Sequence, residues 1–238
     1  LARMQFDLRV PGATASSSAD AGLTARPAVT VSDPNSDLSF TIDSVDLVVR
    51  ELQAGQQGEE CLFAGVGGSD GGDASSCEEF NSGTIVQTMP VDEGTRALTI
   101  IRLEPGTWDH LAFQFNVLER DQNEDIQILG NRPDMEGASV FVQATINGDD
   151  GDPGNDQVVE LRLAPEGERV LTAPEPVTLE ADEQGVLTLT VDVGSWFDDG
   201  NGGVLDPSQV AGDGTQRSQV EANIDASLGV EFTPPSGQ

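Results

Sequence analysis

The sequence predicts an all-β protein, a two-sheet antiparallel β-sandwich of about a dozen strands with long acidic loops and at most one or two short helices. Three observations predict it. In Leu187–Val193 the apolar Leu187, Leu189, Val191 and Val193 alternate with Thr188, Thr190 and Asp192, the period-2 pattern of a strand with one face on a core and the other in water. The same alternation recurs from Arg3–Val10 to the far end of the chain, in short runs separated by Gly, Pro, Asn and Asp. Helical spacing is rare by comparison, and no repeat points to a solenoid or a propeller.

In chain order, Met4, Phe6, Leu8 and Val10 share one face of Arg3–Val10, with Arg3, Gln5, Asp7 and Arg9 on the other. Pro11-Gly12 and an Ala/Ser/Thr-rich stretch to Arg26 follow, with linker composition. Residues 1–26 therefore read as an amphipathic strand on a flexible tether, and 27–238 as one sandwich domain. At about 3.3 Å per residue the tether spans on the order of 50 Å. The strand can add to its own sheet or complete the sheet of a neighbouring molecule.

Pro27–Val31 reads as an edge strand and Asp33-Pro34-Asn35 as a turn. Along Leu38–Leu52 the apolar parity changes, from Leu38, Phe40 and Ile42 to Val45, Leu47 and Val49. A bulge near Asp43-Ser44 would restore the face. Thr84–Met89, Ala97–Leu103 and Thr107–Glu119 give three further strands, the last two joined by a Glu104-Pro105-Gly106 turn. Leu111, Phe113, Phe115 and Val117 point one way, and an irregularity at Asp109 would bring Trp108 to the same side. Ile126–Leu129 and Ala138–Ile146 extend the pattern, the latter forming a hairpin with Val158–Leu163. Arg169–Thr172 and Val177–Glu180 read as short strands, kept from the sheet centre by Ala173-Pro174-Glu175-Pro176. Trp196 and Phe197 close the end of the core. Asp206-Pro207 caps and begins a short helix, Thr215–Asn223 holds another turn or two, and Ile224, Ala226, Leu228, Val230 and Phe232 form a last strand.

Two of these segments, TIDSVDLVVREL (Thr41–Leu52) and LEPGTWDHLAFQF (Leu103–Phe115), resemble a family of uncharacterised bacterial exported domains. There a strand of the form v-x-S-V-x-L-x-V is followed by L-x-P-G-x-[YW]-x-x-L. The resemblance implies a transthyretin-like or immunoglobulin-like sandwich of the kind carried by exported and lipoprotein chains, and it implies no catalytic residue.

Composition bounds the function. Asp and Glu total 42 against 11 basic residues, all Arg, for a net charge of −31. Such a surface repels phosphate backbones and anionic membranes and attracts divalent cations, so neither nucleic acid nor membrane insertion is expected. Without Lys there is no Schiff base and no P-loop. His110 is the only histidine, so a metal cluster or a Cys-His pair is excluded on count and the residue reads as structural. Cys61 and Cys77 have no histidine near them in sequence and read as a disulfide closing a surface loop, the usage of an oxidising compartment. No apolar run approaches a membrane span. The chain is expected to be secreted or on the cell surface, as a mature form after signal-peptide removal.

Two loops carry the ligand types of calcium, which takes six to eight oxygens in irregular geometry. The first offers Asn147, Asp149, Asp150, Asp152, Asn155 and Asp156; the second offers Asp198, Asp199, Asn201 and Asp206. The same residue types are what turns are made of. The combined expectation is a non-enzymatic extracellular structural or interaction protein. It would be a surface filament subunit, a homo-polymer assembled by donating the strand of Met4, Phe6, Leu8 and Val10, with calcium-stabilised loops. The alternative is a monomeric secreted module binding a divalent metal or small solute through its acidic loops.

Overall fold

The computed structural model describes residues 1–11, 29–59, 61, 77–91, 94–147 and 155–235, apart from the side chains at 81 and 82. Among them, eleven strands form two sheets, and the all-β sandwich expectation holds. The smaller sheet has the order β11 (Leu228–Thr233), β10 (Gln184–Val191), β1 (Ala2–Arg9), β5 (Thr95–Leu103). The larger runs β8 (Gln157–Leu163), β7 (Val140–Ile146), β3 (Ser39–Gln56), β6 (Gly106–Phe115), β9 (Gly167–Leu179), with β2 (Val29–Ser32) and β4 (Glu78–Thr88) also on β3. One contiguous core lies between them, drawing on Met4, Phe6, Phe40, Phe113, Leu187 and Trp196 among others.

The spine is β3. Its first half pairs with β2 and β7, its second half with β4 and β6. The register against β7 shifts between Ile42 and Ser44, where the parity change predicted a bulge, so Phe40, Ile42, Val45 and Leu47 all face the core. A second irregularity falls at Glu51, whose φ of 53° lies in the left-handed region, and it turns Leu52 and Ala54 inward. On β6 the register against β9 shifts between Trp108 and His110. Trp108 is thereby fully buried alongside Leu111, Phe113 and Phe115, as the irregularity at Asp109 required.

Five expectations need correction. Ile126–Leu129 is not a strand but part of helix α1 (Asn123–Asn131). Glu124 and Asp125 sit in its first turn, where the helix dipole favours them, and the buried Asp125 carboxylate accepts from Glu119 N–H at 3.2 Å. Four residues, three of them apolar, are too short a window for period to separate strand from helix. Likewise Ile224 and Ala226 belong to α3 (Gly214–Ala226) rather than to the last strand. Asp213 caps α3 by accepting from Thr215 and Gln216 N–H, and Val220 and Ile224, one turn apart, are buried. With α2 (Pro207–Val210) the described residues hold three α-helices, more than the one or two expected. Arg169–Thr172 and Val177–Glu180 are one strand, β9, which pairs only with β6 and so is the edge that its prolines require. Lastly, the sheets are not wholly antiparallel: β1 runs parallel to β10.

Candidate functional site

The N-terminal strand is the first candidate. Met4 pairs with Gly185 on β10 and with Ile101 on β5, so β1 is held along both edges. Its ends are tied as well, by Asp182 N–H to Leu1 O at 3.2 Å and Val10 N–H to Gly94 O at 2.8 Å. Met4, Phe6, Leu8 and Val10 are all at most 2% exposed. On the outer face Arg9 forms an ion pair with Glu231 at 2.7 Å, and Arg3 stands directly across from Arg102, both exposed. Parallel strands cannot be joined by a tight hairpin, and β1 reaches β10 with most of the chain intervening.

The acidic loops are the second. Asp149, Asp150 and Asp152 lie outside the described residues. Asn147 turns back on β3, its Nδ2 donating to Ser39 Oγ at 3.2 Å, while Asn155 and Asp156 lead into β8 across the hairpin from β7. In the second loop the carboxylates hold their own backbone. Asp198 accepts from Gly200 N–H at 2.7 Å, and Asp199 from Asn201 N–H at 2.7 Å and Gly203 N–H at 2.8 Å. Asp206 accepts from Ser208 N–H at 2.8 Å, capping α2 ahead of Pro207 as the sequence predicts. Asn201 donates to Asp199 O at 3.2 Å. Nearby, the Asn35 N–H and the Ser36 hydroxyl hold the Asp33 carboxyl below its ordinary range, and Asn35 Nδ2 donates to Gly202 O at 2.9 Å, tying the two turns together.

The third cluster was missed by sequence reasoning. Cys61 and Cys77 form the predicted disulfide, but a histidine does stand beside it. His110 Nε2 lies 3.3 Å from Cys61 Sγ and 3.8 Å from Cys77 Sγ, although 49 and 33 residues separate them in sequence. The ring is placed by strand register. His110 pairs with Gly55 on β3, and a Cβ on Gly55 would stand 1.8 Å from Nε2, so only glycine lets the imidazole lie across β3 toward the sulfurs. Asp109 Oδ1 is 2.7 Å from Nδ1. An ionised carboxylate can only accept, which puts a proton on Nδ1 and, in the neutral ring, turns the Nε2 lone pair to the sulfurs. The cluster opens on a cavity of about 390 Å³ lined also by Glu59, Val170 and Thr172. Opposite Asp109, the residues of β9 between Thr172 and Val177 bulge out of register.

Among the described residues, Cys61, Cys77 and His110 are the only three His, Cys, Asp or Glu side chains whose ligand atoms all lie within 4.8 Å of one another. The acids of the second loop form no such group. Sequence offered one faint signal, a glycine pair, Gly55 and Gly106, each set in or beside a strand where a neighbour must approach closely.

No family model, curated protein or solved structure matches the chain.

Proposed function

We propose that this chain is a non-enzymatic extracellular structural protein, the subunit of a surface homo-polymer in which β1 of one copy occupies the β5–β10 slot of the next. The observation that carries the reading is the position of β1: a strand at the start of the sequence is an inner strand of its sheet, with its whole apolar face in the core. A strand so placed can take the same slot, in the same register, in a second copy, and only the connection from Pro11 to Val29 changes course. Fully extended, that connection reaches about 60 Å. Arg3 facing Arg102 supports the reading further. Like charges directly opposite cost stability in a sheet, and an acidic neighbour lying across them offsets that cost. Copies of net charge −31 repel one another, so assembly calls for counter-ions, and calcium at the Asn147–Asp156 and Asp198–Asp206 loops would supply them.

The test is negative-stain microscopy and solution mass of the full chain in calcium and in chelator, beside a chain lacking residues 1–11 and the same chain given residues 1–11 as a peptide. Polymers in calcium, their dispersal in chelator, and capture of the peptide by the truncated chain are expected. Polymers that persist without residues 1–11, or uniform single particles in both conditions, overturn the proposal.

A further inference from the structure

The disulfide, the histidine and the cavity together carry an inference that neither fold nor assembly requires. A tetrahedral zinc ion with Zn–S near 2.3 Å and Zn–N near 2.0–2.1 Å places sulfur and nitrogen about 3.6 Å apart and its two sulfurs about 3.8 Å apart. His110 Nε2 already stands 3.3 and 3.8 Å from the two Sγ atoms, on either side of that value. The Cα atoms of Cys61 and Cys77 are 5.3 Å apart, so once the S–S bond is broken the sulfurs can separate by side-chain rotation. Asp109 fixes the tautomer that presents Nε2 as a ligand, the carboxylate–histidine–metal arrangement common around zinc. A fourth donor borders the same cavity, outside the group of three: Glu59 Oε2 is buried and has no hydrogen-bond partner among the described residues. A buried carboxylate oxygen without a partner is costly, and a cation would satisfy it.

We propose that Cys61, Cys77, His110 and Glu59 form a site for zinc or a similar borderline divalent metal, open only when the disulfide is reduced. Two equivalents of a thiol reductant supply the two electrons, giving two cysteine thiols and one reductant disulfide. Metal binding then displaces the two thiol protons and leaves both sulfurs as thiolates. The chain between the cysteines is thus closed by a sulfur–sulfur bond under oxidising conditions and by a metal under reducing ones, never by both.

The experiment titrates cobalt(II) into the full chain, oxidised and after phosphine reduction, reading sulfur-to-cobalt charge-transfer and tetrahedral d–d bands. One cobalt per reduced chain, loss of the bands when zinc is added, release of two protons per metal and no bands in the oxidised chain are expected. Asp109→Asn, which leaves every ligand in place, should weaken binding about 10–100-fold. His110→Asn should lose the tetrahedral signature while both thiols remain. A reduced chain that binds no cobalt, folded or not, overturns the proposal. So does His110→Asn binding as the parent does, which would reduce the site to a flexible dithiol.

Discussion

Truncating Phe6 to alanine measures how firmly β1 is seated. The ring is 2% exposed, flanked in register by Leu187 on β10 and Thr99 on β5, and its centroid lies 5.4 Å from that of Phe80. Because β1 is laddered on both edges, the strands around it cannot close on the space left behind. Such Phe→Ala changes cost about 3–5 kcal/mol. Against a total stability of about 5–15 kcal/mol the variant still folds in dilute buffer. With a urea m-value of about 3 kcal/mol/M, its unfolding midpoint should fall by about 1–1.7 M with the slope unchanged. A loss below about 1 kcal/mol would refute the placement of Phe6 in a packed core. Protein concentration adds a second arm. A midpoint independent of concentration means that β1 is held within its own chain, whereas one that rises with concentration means that a neighbour holds it.

Three other outcomes are expected. Reducing the Cys61–Cys77 bond, with 16 residues of sequence separation, should cost roughly 3 kcal/mol in metal-free buffer and lower Tm by roughly 6–12 °C; an unchanged Tm would show that the bond constrains nothing. Asp213→Ala removes the cap that takes Thr215 and Gln216 N–H and should cost about 1 kcal/mol in thermal melts, with Asp213→Asn close to the parent. Arg132, hydrogen-bonded at 2.9 Å, holds the Asp134 carboxyl below its ordinary value of 3.8, so this carboxylate stabilises the fold above that value and the contribution is lost as pH falls through the depressed folded value. The stability gap between parent and Asp134→Asn should therefore be full at neutral pH and shrink as pH falls below the ordinary value of 3.8; a gap constant over that range would sink the assignment.

What the sequence reveals is which face a residue takes, because side chains alternate strictly along a strand and any break in parity has to be repaired locally. The breaks at Asp43-Ser44 and Asp109 were legible for that reason, as were the edge position of β9, from Pro174 and Pro176, and the cap at Asp206. Short windows failed where helix and strand share a composition, as at Ile126–Leu129, and at Ile224–Ala226, which lie in a helix whose start is marked by the Asp213 cap rather than by apolar spacing.

Which strand lies beside which is a different kind of information, and alternation does not contain it. Nothing in Arg3–Val10 names β10 as its parallel neighbour, since that pairing depends on how two sheets close over a shared core. The His110 cluster depends on the same hidden variable. A histidine was set aside because none lies near Cys61 or Cys77 along the chain, yet the β3–β6 register brings His110 over Gly55 and so to both sulfurs. Counting residue types bounds what chemistry a chain can hold, but only the register decides which of those residues meet. Here the single histidine of the chain stands against its single disulfide, with a carboxylate on its far nitrogen and a cavity at its mouth. A bulge on β3, a bulge on β6 and one glycine suffice to arrange this, and Gly55→Ala, which would drive the ring off the sulfurs, isolates that arrangement from the rest of the fold.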